Sequence, residues 1–183
     1  MNYTDKSAVQ SYLLTNIDIS FDAQLTAWIT AMSRFMDKYT GRTLVEETAT
    51  TRTYDGNGLD DLKIDDVNDL GAVTVDGVTI TAYAYPSNSV RKYLLKRYGD
   101  TFTVGMQNVS VTGKFGYFTA LPEDIKYACT VLVAGIVNQS NKQTDGVRSE
   151  KVGEYQVTYK DEKERADYAR AMQILDGYKV IAF

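Results

Sequence analysis

The chain has 183 residues, 44% hydrophobic and 24% charged, enough for one sizeable core or a core plus a small module and too few for two large domains. A net charge of −4 and a pI near 4.9 oppose a protein that grips nucleic acid by counterion release, though not one that nucleic acid merely passes. The absence of histidine removes the commonest general base, every histidine metal site and the Ser-His-Asp triad, and a single cysteine excludes a disulfide within the chain.

In chain order, residues 4–15 read as a short helix capped by Thr4 or Asp5, with Ala8, Val9, Tyr12 and Leu13 on one side. The start carries no basic leader and no stretch reaches the roughly 20 apolar residues of a membrane span, so the expectation is a chain made and used in a cytosol without an export signal. After a connector at 16–20, Ser20 is placed to cap a second helix. Its apolar positions, Phe21, Leu25, Trp28, Ile29, Met32, Phe35, Met36 and Tyr39, keep a helical period and predict one buried face, and Gly41 supplies a left-handed C-terminal cap. Beyond Arg42 the period drops to that of a strand. Residues 48–54 alternate, Leu62 and Ile64 mark a short strand, and 72–75 and 78–82 flank Asp76-Gly77, a strong hairpin signal. Residues 93–98 and 102–104 predict further strands, with turns at Pro86-Ser87-Asn88 and Gly99-Asp100. An insertion of this kind between two helices requires its two ends to lie close together.

Residues 108–138 carry the chain from that module back into helix. Val109, Val111, Phe115 and Tyr117 alternate as a strand. Pro122 then opens a helix, lacking only an N–H that would be orphaned anyway, and Glu123 and Asp124 suit the positive end of its dipole. Ile125, Ala128, Cys129, Leu132, Val133, Ile136 and Val137 form its buried stripe, on which Cys129 reads as a small hydrophobe and not a nucleophile. A polar loop is expected at 139–146, a strand or extended arm at 147–159, and a last helix at 161–175 with Ala166, Ala169, Met172 and Leu175 inward, stopped by Gly177. The apolar residues 178–183 either fold back onto the core or dock on a partner. The fold class is therefore α+β: a small helical bundle of about four helices (1–42 plus 119–183) with an inserted antiparallel β-rich module (43–118).

No phosphate-cradling glycine loop occurs, so carboxylates are the remaining candidates for chemistry. Asp55 and Asn57 are spaced like the first two ligands of a calcium loop, but Leu59 stands at the third ligand position and Asp60 where glycine is needed, which favours a plain β-turn. Asp65, Asp66 and Asp69 read as a solvated loop. Arg91, Lys92, Lys96 and Arg97, interleaved with Tyr93 and Tyr98, suggest stacking on a single nucleic-acid strand, but the acidic remainder of the chain favours a solvated or intersubunit face. No catalytic, metal-binding or cofactor-binding residue is assigned. The 14 tyrosines, apolar rings with polar tips, suit either half-buried strands or surfaces that become interfaces.

The order of these pieces carries a resemblance. A short helix, a long one ending in DKYTGR at 37–42, TRTYDGNG at 51–58, QNVSVTGKFGY at 107–117 leading to LPEDIKYA at 121–128, and VRSEKVGEYQVTY at 147–159 before a closing helix resemble the head-tail connector proteins of tailed bacteriophages, also called adaptor or head-completion proteins. The resemblance covers nearly the whole chain. It implies a non-enzymatic structural protein without cofactor, assembled in the host bacterial cytoplasm and lodged in the neck of the virion as a ring of about a dozen copies under the portal. Such a ring extends the DNA channel, passes DNA without tight specific binding, touches no membrane and offers a platform to the next neck or tail-completion protein. In that family the helices form the shared core and the C-terminal segment contacts the portal, which makes Tyr178, Val180, Ile181 and Phe183 candidate portal-docking residues. Arg91, Lys92, Lys96 and Arg97, with Phe115 and Tyr117 beside the strand-to-helix seam at 113–121, are the candidate intersubunit residues. The long β module departs from the smallest family members, which are little more than helices. Two readings from other classes stay open: a non-enzymatic β-module that binds a ligand or glycan through surface tyrosines such as Tyr83, Tyr85, Tyr93 and Tyr98, and a carboxylate-dependent hydrolase using the 55–69 region.

Overall fold

Asp5 starts the first helix, α1 (Lys6–Leu13), by accepting the Ala8 N–H on its carboxylate at 2.9 Å. The structure, a computed structural model, describes residues 1–84, 92–141, 149–152, 155–158 and 166–180. Its contacts divide the chain into two compact units, Met1–Gly41 with Pro122–Phe183, and Arg42–Leu121. The first holds α1, α2 (Asp22–Thr40), α3 (Glu123–Asn141), α4 (Ala166–Asp176) and a two-stranded hairpin of β8 (Ser149–Val152) and β9 (Tyr155–Thr158).

Ser20 does not cap α2. Asp18 instead caps a 3-10 turn at Ile19–Phe21, accepting the Ser20 N–H at 2.8 Å, and α2 follows directly with Gly41 as its left-handed C-cap. The buried face of α2 also differs from expectation: it is Leu25, Ile29, Ser33, Met36 and Thr40, while Trp28, Met32 and Tyr39 are half-buried and Phe21 and Phe35 exposed. Two hydroxyls fit inside because each is satisfied locally. Ser33 donates to the Ile29 carbonyl and Thr40 to that of Met36, and Ser33 Oγ also accepts the Tyr3 N–H at 2.9 Å. The stripe on α3 is buried as its spacing predicts except at half-buried Ile136, and burial extends beyond it, since every residue from 128 to 134 is buried. A helix apolar on all sides needs cover on all sides, and α3 packs against α1, α2 and α4. Cys129 is fully buried there, its thiol pushed up to about 11 by desolvation, so it is inert.

The second unit is antiparallel throughout its two sheets. A four-stranded sheet runs β1-β7-β3-β4, and a three-stranded sheet runs β2-β6-β5. The strands are β1 (Thr50–Gly56), β2 (Asp61–Lys63), β3 (Val67–Val75), β4 (Val78–Ile80), β5 (Tyr83–Ala84), β6 (Leu94–Lys96) and β7 (Gly105–Phe115). Asp76 and Gly77 both take positive φ, 51° and 78°, the mirror-turn geometry that a two-residue hairpin requires. Central β7 buries Val109, Val111, Gly113 and Phe115 in strict alternation, as its sequence predicts. Residues 102–104 are not a strand. Phe102 is instead a fully buried loop residue, tied by its backbone to Gly58 and Leu59. The turn expected at Pro86-Ser87-Asn88 lies outside the described residues.

The two ends of this unit are zipped together. Tyr117 N–H donates to the Thr43 carbonyl at 2.9 Å, Phe118 N–H to Leu44 at 2.9 Å and Glu46 N–H to Phe118 at 2.8 Å, around a parallel bridge between Val45 and Phe118. The closeness that an insertion demands is thus held by main-chain hydrogen bonds.

Candidate interaction surfaces

Of the expected intersubunit residues, Lys92 and Phe115 are turned inward. Phe115 is 0% exposed in the sheet core and Lys92 only 7% exposed, so burial removes both from direct contact with a partner. Lys92 Nζ donates to Asn68 Oδ1 at 2.7 Å and to the Tyr117 carbonyl at 2.5 Å. It lies 5.1 Å from the centre of the Tyr117 ring, whose centre is also 4.2 Å from the Arg42 guanidinium carbon. Arg42 Nε in turn lies 3.4 Å from Asp66 Oδ2, with both side chains almost completely buried. This is a desolvated polar hub, built from residues that the sequence scatters over 42–117.

Desolvation raises the Asp66 carboxyl above its ordinary value, although Arg42 and Lys92 pull the other way, and it lowers the Lys92 ammonium. A raised carboxyl binds its proton more tightly in the folded than in the unfolded chain, so its stabilising contribution is present at low pH and is lost as pH rises through the folded pKa. Asp66→Asn, which imitates the protonated form, is therefore expected to leave stability at pH 7 unchanged or higher, with the gap to wild type closing on acidification. Urea melts at pH 7 and pH 4 check this. A variant weaker than wild type at pH 7 would mean that attraction to the two cations outweighs burial.

Lys96 pairs with Asp60, and Arg97 pairs with Asp100 and donates to the Thr101 carbonyl at 2.7 Å; both cations are partly exposed, as is Tyr117. Arg91 lies outside the described residues. The carboxylates proposed for hydrolysis are engaged singly. Asp65 accepts from Arg52 at 2.7 Å and from the Tyr54 hydroxyl at 2.9 Å, and Asp69 faces Lys114 at 3.6 Å. Burial pushes that Tyr54 hydroxyl up to about 12. Among the described residues no group of three or more acidic or cysteine side chains could hold a metal ion, and no helix is long and apolar enough to cross a membrane. Of the tyrosines considered for ligand capture, Tyr93 is buried and Tyr98 exposed, while Tyr85 lies outside the described residues.

The TRTYDGNG segment builds an apolar tip. Gly58 N–H donates to the Phe102 carbonyl at 2.7 Å, Phe102 N–H to Leu59 at 2.8 Å, and Gln107 N–H to Asp55 Oδ1 at 2.6 Å. Asn108 bridges the same loops, accepting the Gly56 N–H at 2.9 Å and donating to the Thr103 carbonyl at 3.0 Å. Asn57 accepts the Leu59 N–H at 3.0 Å, so the calcium-like spacing serves a turn. The large apolar side chains left outward are Leu59, Val104 and Met106, 57%, 75% and 86% exposed, among exposed Asp55, Asn57, Asp60, Thr103 and Gln107. The sequence reading passed over them. Their signal is a set of single large apolar residues standing among glycines and polar turn formers.

The tail, as far as Val180, folds back. Tyr178 donates its hydroxyl to Asp124 Oδ2 at 2.7 Å, and Val180 N–H donates to the Thr40 carbonyl at 2.9 Å. Asp176 accepts from Tyr39 at 2.7 Å and pairs with Lys179 at 2.7 Å, and Lys179 sits 3.9 Å from the centre of the Tyr39 ring. Ile181 and Phe183 lie outside the described residues. Leu14, Ile19 and Phe21 are exposed on the helical unit, and on one flank of α2 half-buried Trp28, Met32 and Tyr39 recur with exposed Phe35 at spacings of four, three and four. Phe35 and Tyr39 stack at 5.7 Å.

Several solved structures share this fold. The neck of an empty GTA particle computed with C6 symmetry aligns with a TM-score of 0.59 at 14% identity, covering 88% of this chain and 80% of that one. The neck of a native GTA particle computed with C12 symmetry gives 0.59 at 13%, covering 90% and 86%. The virion of a native gene transfer agent particle gives 0.58 at 14%, covering 88% and 79%. At such identities the likeness is one of fold. No curated protein sequence matches the chain significantly. The family model described as head completion protein matches residues 4–180, and the chain therefore belongs to the head completion protein family.

Proposed function

We propose that this protein forms a ring beneath the portal of a phage-like particle, extends the DNA channel and gives the next neck or tail-completion protein a surface on which to dock. As a head completion protein it is a structural component and not an enzyme. The observation that carries the finer reading is the match of the family over residues 4–180, which spans both compact units. The similar structures include particle necks with sixfold and twelvefold symmetry, and rings of that kind close by heterologous contacts. An acidic chain suits the wall of a DNA conduit, because a wall that held phosphates tightly would brake their passage.

In this reading the helical residues 1–42 and 119–183 are the connector core and 43–118 the inserted module. Tyr178, Val180, Ile181 and Phe183 dock on the portal, and Arg91, Lys96, Arg97 and Tyr117 lie at the contact between subunits. Hydrogen bonds from Tyr178 to Asp124 and from Val180 to Thr40 fix the first half of this segment on the helical unit.

Particle mass, measured alone and with the portal, tests the ring. A large closed species with portal is expected, and a monomer indifferent to portal would sink the reading. Deleting residues 181–183 tests the tail, with a loss of portal affinity of about tenfold or more expected for two large apolar side chains. Unchanged affinity would remove the tail from the docking site.

A further inference from the structure

We propose, resting on the ring reading above, that neighbouring copies of this chain meet tip to helix: Leu59, Val104 and Met106 of one copy seat on the outward flank of α2 in the next, against Trp28, Met32 and Phe35. A ring closed by heterologous contacts needs two different patches on every subunit, one to give and one to receive. The tip on one compact unit and the α2 flank on the other offer such a pair, alongside exposed Leu14, Ile19 and Phe21 ahead of α2.

Their chemistry is complementary. The tip is preorganised, since hydrogen bonds through Gly56, Gly58, Phe102 and Asn108 tie its loops together before any partner arrives. Its rim is acidic: Asp55, Asp60, Asp61 and Asp100 outnumber Lys96 and Arg97. On α2 the flank is 38% exposed at Phe35 and adjoins exposed Ala27 and Ala31, small residues that leave room for a neighbour's side chains. The charges on that exposed arc are Arg34 and Lys38, which make no ion pair among the described residues. The helix's two acids are engaged elsewhere, Asp22 with Lys6 and Asp37 with the Tyr3 hydroxyl. An acidic-rimmed knob facing a cation-rimmed apolar flank fixes register between copies. The same acidic rim opposes an anionic lipid surface as the tip's target.

Cysteine pairing tests this directly. Cys129 stays out of the reaction because it is fully buried with its thiol pushed up to about 11. Phe35→Cys and Met106→Cys are placed in separate chains, mixed at assembly concentration and mildly oxidised, so that any mixed disulfide joins two copies. Its formation is expected to run about tenfold or more faster than with Thr79→Cys, an exposed residue of β4. In parallel, Lys38→Glu is expected to raise the concentration for half-assembly about tenfold, and Asp61→Lys in the same chain to restore it. Wild-type rings in which neither effect appears overturn this pairing and leave the ring reading standing. A wild-type chain that stays monomeric both alone and with portal overturns the ring reading, and this pairing with it.

Discussion

Val133→Asp is expected to unfold the helical unit. Val133 is 0% exposed in the middle of the run from 128 to 134, where α3 is buried on all sides by α1, α2 and α4. The other polar side chains buried among the described residues of that unit are Ser33, Thr40 and Thr130, none of which carries a positive charge. A carboxylate there would have neither water nor a counter-ion, a penalty of several kcal/mol per ion even after relaxation. Whole-protein stabilities are only about 5–15 kcal/mol, so the helical unit has little left to hold it. The measurement is far-ultraviolet circular dichroism with limited proteolysis, and the expected result is lost helical signal with cleavage inside α2 and α3. A variant that melts within about 2 °C of wild type would mean that α3 is open to solvent at this position.

Gly56→Ala is expected to cost the β-rich unit about 3 kcal/mol or more, at or beyond the upper end for overpacked sites. A β-carbon at Gly56 would lie 1.8 Å from the Thr103 carbonyl oxygen and 3.0 Å from Asn108 Oδ1, so the collision is with backbone that has no rotamer to yield. The loops of the tip would have to separate, breaking the hydrogen bond from Gly56 to Asn108 and exposing the buried Phe102. Gly77→Ala is the control. It has open space around it and only the left-handed φ of 78° to pay for, about 1–2 kcal/mol. Urea denaturation of the two variants separates the causes. Equal, small losses would show that the loops do not approach as closely as 1.8 Å implies.

Where one physical signal ruled, the sequence was sufficient. Periodicity on α3 and β7 identified buried residues because apolar side chains at those spacings have one way to leave water, and Asp76-Gly77 identified its hairpin because few residue pairs tolerate two positive φ values. On α2 the same method found Leu25, Ile29 and Met36 but took the neighbouring aromatic flank for core in place of Ser33 and Thr40. Hydropathy counts Ser33 and Thr40 as polar, yet each hydroxyl returns its proton to a carbonyl one turn back and enters the core at little cost, which displaces the aromatic flank outward. Lys92 was misplaced for a related reason. Its charge suggested a surface, but Asn68, the Tyr117 carbonyl and Asp66 lie far away in sequence and become neighbours only through the sheets. Phe102 shows a third limit, since a residue can be central to a core while belonging to no regular element.

The zipped ends at 43–46 and 117–118 make the β-rich unit a cassette. Because its incoming and outgoing segments are clasped to each other, the helices need see only a pair of adjacent attachment points, whatever lies beyond them. Evolution could lengthen, shorten or exchange what hangs from that clasp while the helical residues keep their packing, and a protein engineer could do the same, grafting a foreign domain with closely spaced termini between Glu46 and Tyr117. Variation in this family would then concentrate on one side of the clasp, and particle-specific fittings could be changed without redesigning the helices.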